Sequence, residues 1–559
     1  MQKQIIQLLQ KAGVKLKDSE IENLIEIPPS TEMGDFAFPC FIVAKELKKN
    51  PNQIAEEFAK KIKSKDFEKI ESKGPYINFF VNRIALAENL IKEIKKQGDK
   101  FGAGKKQNIK TMVEFVSPNT NKPLHVGHLR NMAIGESVSR ISEFSGEKII
   151  RASLNNDRGV HICKSMIAYK LFGKNKSPDI KPDHFVGKFY ALFGKEEKTN
   201  PKIGDEPNKL LKKWEEGDKE TITLWKKMNK WAYEGWAQTY KTFGIKFDKQ
   251  YYESEIYTEG KEIILEGLKK GIFEKKSDGA IFINLEKENL GEKILLRSNG
   301  TSVYITQDIY LAKKKFSDFN LDKSYVVTGN EQKYHFEVLF SILRKLGFTP
   351  EGLKHLPYGM VRIPEGKIKS REGNEGLSTD EIIANLQKLT SQELEKRSKL
   401  SKKELNERSM KIALAAIKYS MLKIHINKDI IFDPKESVSF EGDTGPYLQY
   451  SYARASSILR KAGVQKTKMQ ILELDQKEIE LIKKISEFPD AVLKAYESLN
   501  PSIIANYSYQ LAQIFNEFYH ACQVMNSKQT KFRLELVNAF RQVLKNSLSL
   551  LGIDVLEEM

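Results

Sequence analysis

The sequence predicts an α/β protein: a catalytic domain on an open parallel sheet, an α+β domain before it and an all-α domain after it. Three observations lead there. A β-rich run, Met112-Val113-Glu114-Phe115-Val116, is followed by a turn-rich loop, a helical stretch and a second strand. That β-loop-α-β unit is how open parallel sheets begin. From about residue 380 onward the pattern is helical almost throughout. The chain has 559 residues, which at roughly 100–200 residues per domain predicts three to five domains.

The elements follow in order. Residues 1–100 read as helix, turn, helix, strand, helix. Ile84, Ala87, Ile91 and Ile94 recur at helical spacing. Gly74-Pro75 opens a short alternating strand, Tyr76-Ile77-Asn78-Phe79-Phe80, and FGAGKK at 101–106 reads as a linker. After the run at 112–116 come the loop Ser117–Pro123, a helix from about Gly127 to Phe144 stopped by Gly146, and a strand from Lys148 to Leu154. Further strands fit Ala280–Ile283, Ser302–Thr306 and Tyr325–Val327. Between them, about 165–245 is lysine-rich and helical and reads as an insertion. Its Trp214, Trp225, Trp231 and Trp236 could stack bases, but near-helical spacing favours core. Near the end, Asn500 as N-cap and Pro501 at the first helical position open a helix. Its apolar stripe is Ile504, Tyr507, Leu511, Ile514, Phe515, Phe518 and Cys522.

Composition bounds the function. With 40% apolar and 30% charged residues the chain has material for real cores, which excludes a disordered protein. The formal charge of +18 suggests a polyanionic partner, nucleic acid being the commonest; a lysine-rich composition alone would give the same number. Cys40, Cys163 and Cys522 are far apart, with neither zinc-ligand spacing nor a disulfide framework, which suits a reducing compartment. No signal peptide pattern opens the chain and no apolar run reaches the roughly 18 residues of a membrane span, so the expectation is a cytoplasmic protein.

Two motifs bear chemistry. His125-Val126-Gly127-His128 stands where a strand hands over to a helix. Free N–H groups and the positive end of the helix dipole favour phosphate there. Gly127 admits a flat base or ribose close to the backbone, and the two imidazoles can donate hydrogen bonds to phosphate oxygens. An i,i+3 histidine pair without a third ligand is a poor zinc site, so no metal centre is expected. About 240 residues later, Gly366-Lys367-Ile368-Lys369-Ser370-Arg371-Glu372-Gly373-Asn374 is a basic loop bracketed by glycines. Such a loop can neutralise charge on a departing pyrophosphate; alone it reads as an ordinary charged surface loop.

Together and in this order the two motifs resemble the HIGH and KMSKS signatures of the class I aminoacyl-tRNA synthetases. The stretches Val113–Arg130, Leu296–Asp308 and Glu441–Tyr450 narrow the likeness to the arginyl-tRNA synthetases. Gly34-Asp35-Phe36-Ala37 and Gly74–Phe79 are similar to that family's extra N-terminal domain. The resemblance spans essentially the whole chain. It implies a tRNA D-loop-reading domain at 1–105, a Rossmann-type catalytic domain at 106–375 with its insertion at about 165–245, a helical connecting region contacting the stem at 376–435 and an α-helical anticodon-binding domain at 436–559.

It also implies residue roles. Arginine is a planar cation with five donors, so its pocket needs fixed acceptors and a carboxylate. Asp308, Tyr304 and Glu114 would meet the guanidinium, and Asn119 and Gln332 the α-amino and carboxylate end. Tyr304 and Asp308 are four apart on an expected strand, so they can face one pocket; Asp308 could instead cap a following helix. ATP would lie against Pro118, His125, Gly127, His128, Lys367 and Ser370. Ser370 stands where the wider class has its KMSKS lysine, and Lys122, Lys367 and Lys369 are the candidates to replace it at the α-phosphate. Tyr76 and Asn78 would read a splayed tRNA base. The tyrosines of 445–450 could face RNA or pack in a helix core. The implied reaction makes arginyl-adenylate from L-arginine and ATP, then arginyl-tRNA(Arg), with Mg²⁺ accompanying ATP, with tRNA needed even for the first step, and in a monomer. The alternatives are a class I enzyme for another amino acid, a smaller nucleotidylyltransferase, and an inactive tRNA-binding relative.

Overall fold

The computed structural model describes residues 2–348, 351–364, 378–397, 399–464 and 468–559. The chain forms two units. The first takes Met1–Phe101, Ile458–Ser486 and Ile514–Gln542; the second takes Gly102–Ser457, Glu487–Gln513 and Val543–Met559. The helical last third is therefore shared between the units, which a strictly linear reading of domains does not anticipate.

In the first unit, strands β1 (Phe36–Pro39), β2 (Phe67–Lys73) and β3 (Tyr76–Val81) make an antiparallel sheet in the order β1-β3-β2. The β2–β3 hairpin turns through Gly74 at φ +60°, a left-handed conformation that favours glycine. Ile77 and Phe79 face a core with Leu9, Ile21, Phe38, Ile54 and Phe58, while Tyr76 and Asn78 point to the other face. The helix Arg83–Gln97 buries Ala87, Ile91 and Ile94 at the expected spacing; Ile84, its second residue, is exposed.

The second unit is built on a five-stranded parallel sheet. Its strands are β4 (Lys110–Glu114), β5 (Lys148–Asn155), β6 (Lys249–Tyr252), and, after a separate antiparallel sheet, β10 (Lys323–Gly329) and β11 (Gly352–Tyr358). The order β11-β10-β4-β5-β6 means the chain winds one way from β4 and then returns to its other side, so the topological switch lies between β4 and β10. In open sheets of this kind ligands bind beyond the carboxyl ends of the strands at that switch. Met112 and Val113 of β4 are fully buried, as a central parallel strand requires. The helix Val126–Phe144 lies so close that a Cβ on Gly135 would sit 2.2 Å from the Phe115 ring.

The antiparallel sheet consists of β7 (Glu274–Lys275), β8 (Ile281–Asn284) and β9 (Glu292–Leu296), so the strand expected at 280–283 forms outside the parallel sheet. The segment 302–306 is a correction. The helix Tyr304–Phe319 begins inside it, because Ile305, Ile309 and Ala312 recur at helical spacing and bury together with Ile264, Phe273 and Val338. That long-range period outweighs the β propensity of Val303, Tyr304, Ile305 and Thr306.

The insertion is helical: Val160–Phe172, Pro182–Thr199, Glu206–Glu215 and Lys219–Phe243. Trp214, Trp231 and Trp236 are buried, and the Trp225 Nε1–H donates to the Asp157 carbonyl at 2.5 Å, so the tryptophans are packing residues. Short strands β12 (Val361–Arg362) and β13 (Ile430–Ile431) pair in parallel, and the last helices include Ser502–Ala521, which opens one residue after Pro501 with Asn500 Oδ1 accepting from the Ser502 N–H at 3.3 Å. The three cysteines are free and buried. No described helix is long and apolar enough to cross a membrane.

Candidate active site

Beyond β4 the backbone turns sharply: Val116 and Ser117 have φ of +75° and +44°. Non-glycine residues hold such angles only where their surroundings enforce them. Asn131, on the following helix, supplies part of that enforcement. Its Oδ1 accepts from the Val116 N–H at 2.5 Å and its Nδ2 donates to the Val327 carbonyl of β10 at 2.8 Å. One buried side chain thus ties the two strands that flank the switch. The loop after it is stitched to the end of β5, with Asn156 N donating to Pro118 O at 2.9 Å and Thr120 N to Asn156 O at 3.1 Å. Pro118 is buried and Asn119 exposed.

His125 is the N-cap of the helix Val126–Phe144. Its Nδ1 accepts from the Gly127 N–H at 3.2 Å, while His128 Nδ1 accepts from the His125 N–H at 3.0 Å. Each ring's Nδ1 is thereby committed as an acceptor, so the neutral ring carries its proton on Nε2 and offers it as a donor. The rings lie 4.0 Å apart, and a Cβ on Gly127 would come within 3.0 Å of His125 Cε1. Burial, helped by the Lys122 ammonium, lowers His125 to about 4. Burial, His125 and Lys122 push His128 well below its ordinary value. Lys122 is itself lowered by burial. The turn is a cradle of neutral donors at the positive end of a helix.

A second helix braces this turn. The Thr379 N–H donates to the Leu124 carbonyl at 2.9 Å and Thr379 Oγ1 to the His125 carbonyl at 3.1 Å. The next residue, Asp380, accepts from Lys181 and His184 of the insertion, both at 2.8 Å, and from Thr239 at 3.1 Å. Burial alone would raise the Asp380 carboxyl, but the bonds from His184 and Lys181 hold it at about 2. Asp183, His184 and Asp380 are within reach of a common ion, yet the Lys181 ammonium already bonds both carboxylates.

The amino-acid residues are arranged differently. Tyr304 and Asp308 share one face of the helix Tyr304–Phe319, not of a strand, and Val303 rather than Asp308 is its cap. The i,i+4 spacing aligns side chains in either element, so the shared face survives the correction. Tyr304 is 70% exposed. Asp308 Oδ2 meets His335 Nε2 at 2.6 Å. Gln332 is exposed at the end of the 3₁₀ turn after β10. Glu114 is buried at the end of β4, in contact with the Lys315 ammonium at 2.5 Å, so its carboxylate is already paired.

The sequence reading missed Glu253. It is buried immediately after β6, and burial raises its carboxyl to about 7; Arg158 opposes the shift while Asp157 and Asp308 add to it. Glu253 and Arg158 also act on Tyr304, so these groups are electrostatic neighbours. A carboxylate directly at the carboxyl end of a parallel strand is the signal that could have found it, but the four-residue β6 was not recognised. Asp157 fixes the adjacent residue, accepting from Ser254 N at 2.8 Å and Oγ at 2.7 Å.

At the switch, Glu114 ends β4, with Asn119, Lys122, His125 and His128 following it along the chain, and Gln332 follows β10; Glu253 follows β6, the outer strand, with Tyr304 and Asp308 as its electrostatic neighbours. Lys367, Lys369 and Ser370 lie outside the described residues. Tyr76 and Asn78 belong to the other unit. The Tyr76 ring meets the half-exposed Phe41 edge-on at 6.0 Å, and Asn78 is buried.

Comparison with known proteins supplies three domain matches: the Arginyl tRNA synthetase N terminal domain over residues 1–81, the catalytic domain of tRNA synthetases class I (R) over 89–434, and the DALR anticodon binding domain over 448–559. The chain is 44% identical to the arginine–tRNA ligase of Borrelia duttonii (strain Ly), covering 100% of this chain and 98% of the relative. It is 44% identical to that of Treponema denticola, covering 96% and 94%. Among solved structures, the Thermus thermophilus arginyl-tRNA synthetase matches with a TM-score of 0.83 at 26% identity, covering 100% of this chain and 99% of that one. The Plasmodium falciparum arginyl-tRNA synthetase shares the fold, with a TM-score of 0.76 at 24% identity and coverage of 100% and 98%.

Proposed function

The chain belongs to the arginyl-tRNA synthetase family, and from that premise we propose how its residues divide the reaction. It activates L-arginine with ATP to arginyl-adenylate, releasing pyrophosphate, and transfers the arginyl group to tRNA(Arg), releasing AMP. The arginine carboxylate attacks the α-phosphate in line, and the terminal ribose hydroxyl of the tRNA then attacks the acyl carbon. Positioning and charge stabilisation do this work, and no enzyme nucleophile is required.

The observation that supports the division most strongly is the pair of interlocked neutral imidazoles at the helix N-terminus beside the switch. His125 and His128 donate Nε2–H to ATP phosphate oxygens, and Gly127 lets the nucleotide approach the backbone. Lys122 faces the α-phosphate charge, alone or with Lys367 and Lys369. Ser370 and the loop end at Pro118 complete the ATP contacts. Asp308, Tyr304 and the newly found Glu253 receive the guanidinium, while Asn119 and Gln332 hold the amino and carboxylate groups. Glu114 takes part through its pair with Lys315. Mg²⁺ arrives with ATP.

On this reading 1–105 reads the D-loop through Tyr76 and Asn78, 106–375 performs the chemistry, 376–435 contacts the stem, and 436–559 binds the anticodon. The enzyme works as a monomer in the cytoplasm and requires tRNA for activation. Arginine-dependent ATP–pyrophosphate exchange, measured with and without tRNA(Arg), tests the reading. Exchange that needs tRNA is expected; exchange of equal rate without it would remove the tRNA requirement.

A further inference from the structure

We propose that His335 is a positioning residue for arginine: it fixes the rotation of the Asp308 carboxylate so that one oxygen stays available to the guanidinium. The proposal rests on the assignment of Asp308 to the substrate cation. Asp308 lies on the helix Tyr304–Phe319 and His335 on the helix Lys333–Lys345. His335 Nε2 meets Asp308 Oδ2 at 2.6 Å, with both side chains 30% exposed. This is a short contact, just under the roughly 2.7–2.9 Å of charge-assisted N–H···O bonds. Among the described residues Oδ1 takes no hydrogen bond, so half of the carboxylate is spent on the histidine and half is free.

Guanidinium recognition by a carboxylate is planar and directional, so the rotation of the carboxylate decides whether the fork is met squarely. Asp308 without an anchor would turn freely on an exposed helix face. His335 is well placed to prevent that. It stands three residues after Gln332, the cap of its own helix, so the same helix end carries the residue assigned to the α-amino and carboxylate end. The adjacent Phe336 stacks on His355 at 4.2 Å and 15°, and His355 bonds Thr328 Oγ1 of β10 at 2.8 Å. The histidine therefore stands beside a residue anchored to the sheet edge, and one rigid helix end sets both ends of the substrate.

The test is arginine-dependent pyrophosphate exchange by the full chain with tRNA(Arg), comparing His335→Leu, His335→Gln and Asp308→Asn. His335→Leu is expected to raise KM for arginine about tenfold, the loss of one hydrogen bond to a charged group, with kcat and KM for ATP nearly unchanged. His335→Gln, which keeps an N–H donor of similar reach, is expected to recover most of that. If His335→Leu leaves arginine KM alone while Asp308→Asn raises it, His335 has no positioning role and the Asp308 assignment stands. If Asp308→Asn also leaves arginine KM alone, the Asp308 assignment falls and this proposal with it. An equal loss in kcat and in KM for both substrates would mean a general structural defect and would overturn the proposal. Should His335→Leu fail to fold, His335→Asn, whose amide is too short to reach Asp308, takes its place with the same outcomes.

Discussion

At the phosphate turn, the polar groups of the two histidines are largely committed before any ligand arrives. The Nδ1 atoms accept backbone N–H groups, Thr379 holds the His125 and Leu124 carbonyls, and only the Nε2 donors face outward chemistry. On the arginine side, Tyr304 is 70% exposed, Gln332 is exposed, and Asp308 gives one oxygen to His335 and keeps the other. On the proposed assignment, the first region is set in advance for charge that develops in the transition state, and the second is a set of acceptors whose partner is the substrate itself. Preset donors act on rate, and acceptors completed by the substrate act on affinity.

Substitutions at the two regions should therefore fail in different ways. His128→Ala removes a preset donor and is expected to lower kcat of pyrophosphate exchange about 10²–10³-fold, with little change in arginine KM. A large rise in KM at unchanged kcat would put His128 in ground-state binding. Asp308→Asn keeps the shape and removes the charge, and is expected to raise arginine KM about 10–100-fold, the loss of a charge-assisted bond. A pure kcat effect there would erase the contrast between the regions.

The pH dependence sharpens it further. His125 titrates at about 4 in the folded chain against an ordinary 6.5. The unfolded chain thus takes up this proton first, and the stability the buried imidazole contributes is complete above 6.5 and lost as pH falls from 6.5 through 4. Thermal midpoints measured across that window are expected to fall, and His125→Gln to fall less steeply. Exchange rates between pH 8 and 6 should show no inflection belonging to either histidine. An inflection near 6.5 that His125→Gln abolishes would show that the turn works with a protonated ring. The smallest effect is expected from Thr379→Val, which removes one hydrogen bond to the His125 carbonyl, worth about 1 kcal/mol. Exchange kcat should drop several-fold with arginine KM unaffected.

The same contrast governs what could be read from sequence. The phosphate turn is local: two histidines, a glycine and a strand-to-helix boundary lie within a few residues, and the physics of a helix N-terminus follows from the order alone. The tryptophans of the insertion are legible for the same reason, since helical spacing already implies packing. The brace is not legible, because Thr379 and His125 are 254 residues apart. The arginine side rests on likeness of Tyr304 and Asp308 to a known pattern, and their element is misread because the β-branched and aromatic run Val303–Thr306 looks like a strand when the longer burial period is ignored. Glu253 is distinguished by burial and by neighbours from the loop after β5 and from the helix Tyr304–Phe319, which a one-dimensional reading does not bring together.

On the proposed assignment, the chain selects its amino acid by the charge of the guanidinium. Citrulline tests it most directly, since it replaces that cation with a neutral ureido group of nearly the same shape. In pyrophosphate exchange with tRNA(Arg) present, arginine is expected to support exchange and citrulline to lose about 10²-fold or more in kcat/KM. Comparable exchange with citrulline would contradict the assignment of Asp308 and Glu253 as readers of that charge.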